Sequence, residues 1–375
     1  MNIGITCYPT YGGSGIVATE LGLELAARGY QVHFISYANP IRLSAEHPRI
    51  HYHEVEVSTY PLFQYPPYCL ALASRMAEVA ETAGLDLLHV HYAIPHAISA
   101  LLASEMLGRR RLPFVTTLHG TDITLVGADR SYLPITRFSI QQSDGVTAIS
   151  DYLKERTETV FGVRNTIRVI PNFVNCDNYR RNPHPAARAA WAPAGEKLLV
   201  HLSNFRPVKR VLDVVRVFAA VYRELPARLL MIGDGPDRGP AELLARELGV
   251  ADHTLFLGKQ NNIAELLAVS DLMLLPSEHE AFGLAALEAM ACGVPTVAAR
   301  TGGIPELITD GVDGLLAPVG DVATMASQAV SLLGDPARYT EMSAVARRTA
   351  ETRFASTRII PQYEELYREI CRHEK

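Results

Sequence analysis

Short apolar runs alternate with longer amphipathic segments along almost the whole chain. Runs such as residues 3–7 and 271–276 are too short for a buried helix and are typical of buried strands. Between them, apolar residues recur every three or four positions, which is the period of an amphipathic helix. This alternation predicts the α/β fold class, with doubly wound parallel sheets covered by helices.

The alternation runs through the chain twice. The first series of predicted strands covers 3–7, 31–36, 86–91, 114–118, 145–150 and 166–171, with a further candidate at 51–57. The second series covers 197–202, 228–232, 254–258, 271–276 and 294–299. A chain of 375 residues also exceeds the size of one comfortable core. We expect two Rossmann-like domains facing a central cleft: 1–171 with a C-terminal helix at about 356–375, and 172–355.

Composition and charge exclude several classes of function. Apolar residues make up 48% of the chain, charged residues 20%, and the net charge is −5. The chain therefore lacks the excess of positive charge that binds nucleic acid or an anionic membrane. No apolar stretch of the sequence is long enough to span a bilayer. The five cysteines are scattered, without a C-x-x-C pair, which suits a reducing compartment. We expect a cytoplasmic enzyme with small-molecule substrates and no nucleic-acid or membrane partner; the oligomeric state stays open, a homo-oligomer included.

The most informative segment is 277–293, where a predicted loop leads into a helix over 282–292. Glu280 lies in the loop and Glu288 lies well inside the helix. The first backbone amides of a helix lack partners within it, so they favour an anion; here they belong to Phe282, Gly283 and Leu284. Two carboxylates flanking such a site can bind sugar hydroxyls at both ends of a diphosphate. The alternative is an amphipathic helix with two solvated glutamates.

Two cations and a glycine-rich loop provide further candidates for phosphate binding. Arg206 and Lys209 stand three positions apart, after the first strand of the second domain. Such a pair can neutralise the charge that builds on a departing diphosphate; the alternative is that either is a surface cation, as we interpret Arg210. Gly13, in the loop 12–15, can present its amide to a phosphate. That loop lacks the third glycine of a dinucleotide fingerprint, so it is a weak signal alone.

Several histidines lie near the ends of two predicted strands of the first domain. His89 and His91 share one strand face, but no nearby carboxylate or cysteine completes a metal-binding set, so no metal is expected. Tyr92 and His96 follow this strand, and His119 follows the next one. Doubly wound sheets bind ligands beyond the carboxyl ends of their strands. These three residues are therefore candidates for ligand contact.

Four motifs together identify a family. The spacing E-x7-E around Phe-Gly-Leu at 280–288 is accompanied by R-x-x-K at 206–209, G-x-G-P at 233–236 and G-G-x-x-E at 302–306. With these motifs the chain resembles the family 4 retaining glycosyltransferases over nearly its whole length. The resemblance implies the GT-B fold, whose last helix usually crosses back onto the first domain. It also implies that Glu280 binds hydroxyls of the transferred sugar and that Glu288 binds the nucleotide ribose.

The resemblance further implies a mechanism. Arg206, Lys209 and the amides near Gly283 would hold the donor phosphates, and Gly13 would close over them. His119 would bind a sugar hydroxyl, which makes the catalytic set His119, Lys209, Arg206 and Glu280. Because no carboxylate pair stands in a glycosidase-like arrangement, we expect same-face displacement, with the donor phosphate accepting the acceptor's proton. The cation pair makes a metal unnecessary, so we expect no metal and no cofactor.

The acceptor is inferred from the first domain. Gln-Tyr-Pro-Pro-Tyr at 64–68 and His-Tyr-Ala-Ile-Pro-His-Ala at 91–97 resemble the family members that transfer GlcNAc from UDP-GlcNAc to the hydroxyl of L-malate in bacillithiol biosynthesis. A dicarboxylate calls for hydroxyl and amide donors and a cation. Candidate donors are Ser14, Tyr92, Thr117 and Asn204, and the candidate cation is Arg42. Thr116 is an alternative to Thr117, and Arg42 is alternatively a surface residue.

Three other functions stay open at this point. An enzyme of the same fold with an inositol phosphate or a sugar as acceptor should carry more cations around its acceptor pocket. A nicotinamide oxidoreductase lacks its glycine fingerprint here and has no use for Glu280 and Glu288. A nucleotide-sugar binder without turnover is disfavoured by the set of Arg206, Lys209 and His119.

Overall fold

The chain forms two compact units. The computed structural model describes residues 1–10, 12–43, 47–58, 61–62, 64–108, 110–181 and 185–372. Unit 1 comprises Met1–Pro171 and Ile359–Lys375, and unit 2 comprises Asn172–Arg358. Among the described residues, no helix combines the length and the apolar character needed to cross a membrane.

Unit 1 is built on a parallel sheet. Its strands are β1 (Asn2–Thr6), β2 (Gln31–Ser36), β3 (Ile50–Glu54), β4 (Leu87–His91), β5 (Phe114–Leu118), β6 (Gly145–Ala148) and β7 (Ile167–Val169). They lie in the order β3-β2-β1-β4-β5-β6-β7, and every neighbouring pair is parallel. The strand order reverses between β1 and β4, so the loops after these two strands diverge at the edge where such sheets bind ligands.

The helices of unit 1 cover this sheet. They are α1 (Gly13–Ala27), α2 (Tyr68–Ala83), α3 (Ile98–Met106), α4 (Thr121–Thr124), α5 (Leu133–Gln142) and α6 (Asp151–Phe161). Helices pack on both faces of the central strands, so β4 and β5 are buried at every position, whereas the edge strand β3 is partly exposed. The helices α2, α4 and α5 are additional to those expected from the sequence.

The last helix, α15 (Ser356–Arg372), completes the core of unit 1. Its Tyr363 and Tyr367 are fully buried, and the Tyr367 hydroxyl lies 2.6 Å from His89 Nδ1 in β4. Ile370 of this helix packs so closely on Gly145 that a Cβ atom added there would lie 2.6 Å from Ile370 Cδ1. A segment distant in sequence thus supplies core side chains to the first sheet.

Unit 2 repeats the architecture. Its strands are β8 (Lys197–Leu202), β9 (Ala227–Ile232), β10 (Thr254–Gly258), β11 (Leu272–Leu275), β12 (Thr296–Ala299) and β13 (Leu315–Ala317). They form a parallel sheet in the order β10-β9-β8-β11-β12-β13, which reverses between β8 and β11. Its helices are α7 (Pro185–Ala189), α8 (Val211–Glu224), α9 (Arg238–Glu247), α10 (Ile263–Val269), α11 (Leu284–Ala291), α12 (Ile304–Leu307), α13 (Val322–Leu333) and α14 (Pro336–Arg353). Both units are therefore Rossmann-like, as the sequence predicts.

Candidate active site

Three loops of unit 2 meet at the carboxyl ends of the neighbouring strands β8, β11 and β12. The Glu278 amide donates to the Val208 carbonyl at 2.8 Å, which joins the loops after β11 and β8. The Gly303 amide donates to the Glu280 carbonyl at 2.9 Å, which joins the loops after β12 and β11. Three motifs that are far apart in sequence therefore form one surface at the point where the strand order reverses.

Lys209 and Glu280 are in direct contact on this surface. Lys209 Nζ lies 2.5 Å from Glu280 Oε1, and the Ser277 hydroxyl donates to the same oxygen at 2.9 Å. The two side chains keep 21% and 13% of their surface exposed, so this ion pair is shielded but still reachable by a ligand. The contact fixes a cation and a carboxylate side by side.

The glycine motif at 233–236 allows the cationic loop to approach the sheet. A Cβ atom at Gly233 would lie 1.8 Å from the Ser203 carbonyl oxygen, and one at Gly235 would lie 2.6 Å from that of Asn204. Any side chain at either position would therefore displace the loop that leads to Arg206. The Arg206 side chain is exposed and begins the 3₁₀ turn that carries Lys209.

Helix α11 starts two residues later than the sequence suggests. Gly283 precedes it with φ 97°, a conformation that favours glycine, and a Cβ atom there would lie 2.5 Å from Ile304 Cδ1. Phe282 is a core residue whose ring packs edge-on against Phe354. Of the predicted donor-binding trio, Phe282 can therefore offer a ligand only its backbone, whereas Leu284 is half-buried in the first turn of the helix.

Glu288 lies inside α11 and has a buried partner. The residue is 3% exposed, and its carboxylate accepts a hydrogen bond from the Tyr179 hydroxyl at 2.8 Å. Tyr179 lies in the irregular segment that opens unit 2 and is itself buried. No sequence pattern points to Tyr179, because its partner Glu288 is more than a hundred residues away.

His201 is a second residue that sequence reasoning missed. Its Nδ1 donates to the Leu274 carbonyl at 2.9 Å, so its Nε2 accepts from the Ser203 hydroxyl at 2.8 Å. Burial lowers the pKa of His201 to about 4, and the imidazole is neutral at pH 7. It fixes the start of the loop that carries Asn204, whose buried Oδ1 lacks a hydrogen-bond partner within the described structure.

In unit 1, Tyr92 and His119 lie together at the ends of β4 and β5. Their rings stack with centroids 5.7 Å apart and planes 26° apart, and Tyr8 meets the Tyr92 ring edge-on. Tyr92 has φ 92°, which is uncommon for a residue with a side chain, while its amide donates to the Thr117 carbonyl. Such backbone strain is concentrated at functional sites.

His119 is held in position and kept neutral. His119 Nε2 lies 2.8 Å from His91 Nδ1, and the Asp122 carboxylate accepts hydrogen bonds from the amides of His119, Gly120 and Ala93. Burial, with a smaller effect of His96, lowers the pKa of His119 to about 3. Because Nε2 is engaged with His91, Nδ1 is the ring nitrogen left for a ligand.

Thr117 differs from the expectation that its hydroxyl faces an acceptor. The residue is fully buried, and its Oγ1 lies 2.7 Å from His89 Nε2 and 2.6 Å from Thr147 Oγ1. The alternative, Thr116, is also fully buried and bonds to the Ser143 hydroxyl. Both hydroxyls are thus engaged in the interior of unit 1, and we correct the assignment of Thr117 to a structural role.

The remaining candidates of unit 1 lie at or near α1. Gly13 is exposed and is the first residue of this helix, and Ser14 follows it in the first turn. Arg42 lies outside α1 and is partly exposed. Its Nη1 lies 3.4 Å from Oε1 of Glu20, which belongs to α1. Part of the charge of Arg42 is therefore already neutralised by Glu20.

The two sets of side chains differ in chemistry. Unit 2 combines cations, helix-end amides and carboxylates, which suits an anion joined to a polyol. Unit 1 presents neutral aromatic and imidazole groups. Within the part of the chain that the structure describes, no three side chains of metal-binding type are close enough to share an ion.

Two family models and several known proteins match this chain. Residues 11–178 match the model of the family described as Glycosyltransferase Family 4, and residues 185–349 match that described as Glycosyl transferases group 1. The N-acetyl-alpha-D-glucosaminyl L-malate synthase of Bacillus anthracis is 50% identical over 376 residues, which cover 100% of this chain and 98% of the relative. A D-inositol 3-phosphate glycosyltransferase of Saccharomonospora viridis is 29% identical over 96% of this chain and 89% of its own.

Solved structures share the fold at lower identity. A sucrose-phosphate synthase from Thermosynechococcus elongatus superposes with a TM-score of 0.81 at 22% identity, covering 99% of each chain. The Anabaena protein Alr3699/HepE, solved in complex with UDP-glucose, superposes with a TM-score of 0.80 at 22% identity, covering 98% of this chain and 100% of that one. These neighbours have the GT-B fold, in agreement with the two parallel sheets.

Proposed function

Because this chain belongs to the family 4 glycosyltransferases, we propose that it transfers GlcNAc from UDP-GlcNAc to the hydroxyl of L-malate. The products are N-acetyl-alpha-D-glucosaminyl L-malate and UDP, in the first step of bacillithiol biosynthesis. The observation that carries the donor half of this proposal is the contact between Lys209 and Glu280. The acceptor half rests on the relative of that name, which is 50% identical over the full chain.

The donor assignment follows from the bond that is broken. In a nucleotide sugar, the anomeric carbon is joined to the terminal phosphate through one oxygen, so the groups that bind sugar and phosphate must be neighbours. Lys209 and Glu280 are such neighbours. Arg206 and the amides of Gly283 and Leu284 add donors for the diphosphate.

Glu288 is proposed to bind the nucleotide ribose. A ribose diol donates two hydrogen bonds, and a carboxylate is the acceptor that suits it. Tyr179 already donates to one Glu288 oxygen, which orients the carboxylate within α11. Because this pair is buried, few water molecules have to leave the Glu288 carboxylate when a diol binds to it.

The proposed reaction keeps the configuration of the anomeric carbon. The bond between this carbon and the phosphate oxygen breaks, and the malate hydroxyl oxygen forms a new bond on the same face. The hydroxyl proton passes to the departing phosphate, whose negative charge Arg206 and Lys209 stabilise. His119 is neutral because its pKa is lowered to about 3. It forms one hydrogen bond with a sugar hydroxyl, either as acceptor or as donor.

Ser14, Tyr92 and Asn204 remain the proposed hydroxyl and amide donors to the acceptor, with Arg42 as the cation for its carboxylates. Gly13 is proposed to offer its exposed amide to the donor diphosphate. No metal is required in this proposal, because two cations already lie on the phosphate side. We keep the cytoplasm as the proposed compartment, since all five cysteines are free thiols.

The test is UDP release by the purified protein in the presence of a chelator. UDP-GlcNAc would be combined in turn with L-malate, D-malate, other hydroxy acids, inositol phosphates and simple sugars. We expect turnover with L-malate and an α-anomeric product in the proton NMR spectrum. Turnover with an inositol phosphate and not with malate would replace the acceptor, and a β-anomer would contradict retention.

A further inference from the structure

His91 is buried beside His119, and no step of the proposed reaction uses it. It is the last residue of β4, and His119 follows the last residue of β5. The His91 ring stacks on those of His89 and His119, with centroids 4.5 and 5.0 Å away. His91 is fully buried, whereas His119 keeps 9% of its surface exposed. Of the hydrogen-bonded pair His91 and His119, only His119 can therefore contact a ligand.

The two rings share one hydrogen bond. His91 Nδ1 lies 2.8 Å from His119 Nε2, so one of these nitrogens donates a proton and the other accepts it. Burial lowers the pKa of His91 well below its ordinary value and that of His119 to about 3, so each neutral ring carries one proton at pH 7. The pair therefore holds two protons. One lies in the shared hydrogen bond, and the other lies on His91 Nε2 or on His119 Nδ1.

The surroundings of these two outer nitrogens differ. His91 Nε2 is buried and has no hydrogen-bond partner among the described residues. A proton on this nitrogen would be a buried donor without an acceptor, which folded proteins contain more rarely than a buried acceptor without a donor. The second proton therefore belongs on His119 Nδ1, the nitrogen that is left for a ligand. It follows that His91 Nδ1–H donates to His119 Nε2.

The backbone around the two rings keeps them in this arrangement. The His91 carbonyl accepts a hydrogen bond from His96 Nδ1, and His91 is in direct register with Thr117 of β5. The Asp122 carboxylate accepts hydrogen bonds from the backbone amides of His119 and Gly120. Both imidazoles thus start from backbone segments that are held by further hydrogen bonds, so His91 can act as a fixed donor.

We propose that His91 is a positioning residue that keeps His119 in its Nδ1–H tautomer, so that His119 donates a hydrogen bond to a hydroxyl oxygen of the transferred sugar. The identity of this ligand rests on the proposed function, whereas the tautomer is a property of the protein without substrate. The inference gives a direction to the bond between His119 and the sugar. The hydroxyl oxygen accepts, and its own proton stays free for another acceptor.

The first test is the tautomer of His119 in solution, which needs no substrate. Full-length protein labelled with ¹⁵N in its histidines would be studied by proton–nitrogen NMR through the long-range couplings of the imidazole rings. The variant His119→Gln would assign the signals. We expect a protonated Nδ1 and an unprotonated Nε2 on His119 of wild type at pH 7. The Nε2–H tautomer, or a charged ring, would overturn the proposal.

Two substitutions of His91 separate hydrogen bonding from packing. In His91→Asn the side-chain amide can still donate to His119 Nε2, whereas His91→Phe keeps a ring but has no donor. The control is His89→Asn, because the His89 nitrogens contact Tyr367 and Thr117 and not His119. Circular dichroism and thermal unfolding would establish that each variant is folded. We expect the Nδ1–H tautomer in His91→Asn and in the control, and a mixture of tautomers in His91→Phe.

The second test is kinetic. The kcat/KM for UDP-GlcNAc should fall by about tenfold in His91→Phe and by less than about threefold in His91→Asn. In a His119→Gln background, His91→Phe should cause no further loss, because His91 acts through His119. A similar loss in that background, or equal losses in both His91 variants, would show a packing role and contradict the proposal. Absence of turnover by wild type would contradict the proposed function instead, and the NMR result would still decide the role of His91.

Discussion

Lys209 and Glu280 form a shielded ion pair 2.5 Å long between two loops that lie 71 positions apart in sequence. Each side chain belongs to a different motif, and each is the nearest charged neighbour of the other across the carboxyl edge of the unit 2 sheet. In the proposed function, a donor molecule places its phosphate next to Lys209 and its sugar next to Glu280. We therefore expect substrate binding to rearrange this ion pair.

Replacing Lys209 by alanine should lower kcat with UDP-GlcNAc and malate by about 100-fold to 1000-fold, because a preorganised positive charge opposite the leaving group is lost. Glu280→Gln should have a smaller effect, since the amide still binds hydroxyls. The measurement is UDP release at saturating substrates. Arg210→Ala is the matched control, because the Arg210 side chain pairs with Asp213. A Lys209→Ala enzyme within threefold of wild type would contradict the donor assignment.

Tyr179→Phe should weaken UDP binding, because it removes the hydroxyl that orients Glu288. The loss of one buried hydrogen bond to a charged group also costs about 1–3 kcal/mol of stability. Tyr339→Phe is a suitable control, since its hydroxyl donates to the Asp271 carbonyl in the same unit at 3.0 Å. Calorimetric titration with UDP should show about tenfold weaker binding in Tyr179→Phe alone. Equal binding by both variants would refute the role of this tyrosine.

Tyr92→Phe should raise KM for malate more than KM for UDP-GlcNAc, because only the phenol hydroxyl is removed and the ring stacking on His119 is kept. Thr117→Val should instead lower the melting temperature, since it breaks the buried contacts with His89 and Thr147. Steady-state kinetics and thermal unfolding of both variants distinguish the two roles. If Thr117→Val selectively raised KM for malate at unchanged stability, our reassignment of that residue would be wrong.

Unit 2 should lose stability in acid in part through His201. Its folded-state pKa of about 4 lies below the ordinary value of 6.5, so the unfolded chain binds the proton more readily. The contribution is therefore fully present above pH 6.5 and is lost as the pH falls towards 4, by up to about 3 kcal/mol. Urea unfolding followed by the fluorescence of Trp191, the one tryptophan, reports on this unit.

For this experiment, His201→Gln provides the comparison. The variant should be less stable than wild type at pH 7, because it loses a well-fitted partner of Leu274 and Ser203. Its free energy of unfolding should fall less steeply than that of wild type between pH 6.5 and 4.5. Parallel profiles in the two proteins would show that another group is responsible for the acid loss.

Gly283→Ala should abolish most activity and lower stability, for two separable reasons. A positive φ costs a residue with a Cβ about 1–2 kcal/mol, and the new Cβ atom also meets Ile304 Cδ1 at 2.5 Å. Adding Ile304→Val removes that δ carbon. The double variant should therefore regain the stability lost to the steric contact, but not the stability lost to the positive φ. Thermal unfolding of the single and double variants separates the contributions; an unaltered melting temperature in Gly283→Ala would contradict both.

Most strand positions and the donor motifs could be predicted from the sequence because both depend on local signals, but the short strand β13 (Leu315–Ala317) was not predicted. Runs of buried residues indicate strands, and the order of parallel strands brings the loops at 206–209, 277–283 and 302–306 to one edge. The sequence pattern predicts the start of α11 two residues too early, since Phe282 continues the apolar spacing and only the backbone of Gly283 shows where the helix begins. The helix α2 follows an aromatic and proline-rich segment that obscures its start.

Contacts between distant residues could not be predicted in this way. Thr116 and Thr117 lie on a strand that is buried on both faces, so the alternation of side chains does not indicate which of them reaches a ligand. Tyr179 and Glu288 come from an irregular segment and a helix, and no spacing connects them. His201 stands within an apolar strand, where a histidine has no sequence signal that separates packing from positioning.

The placement of Tyr363 and Tyr367 has a consequence for biosynthesis. Since these rings fill the interior of unit 1, the first sheet emerges from the ribosome long before its own core is complete, while unit 2 can finish folding from contiguous residues. The amino-terminal part of unit 1 therefore stays partly folded until helix α15 has been synthesised. Synthesis of helix α15, and not translation of residue 171, sets the moment at which the core of unit 1 can be completed.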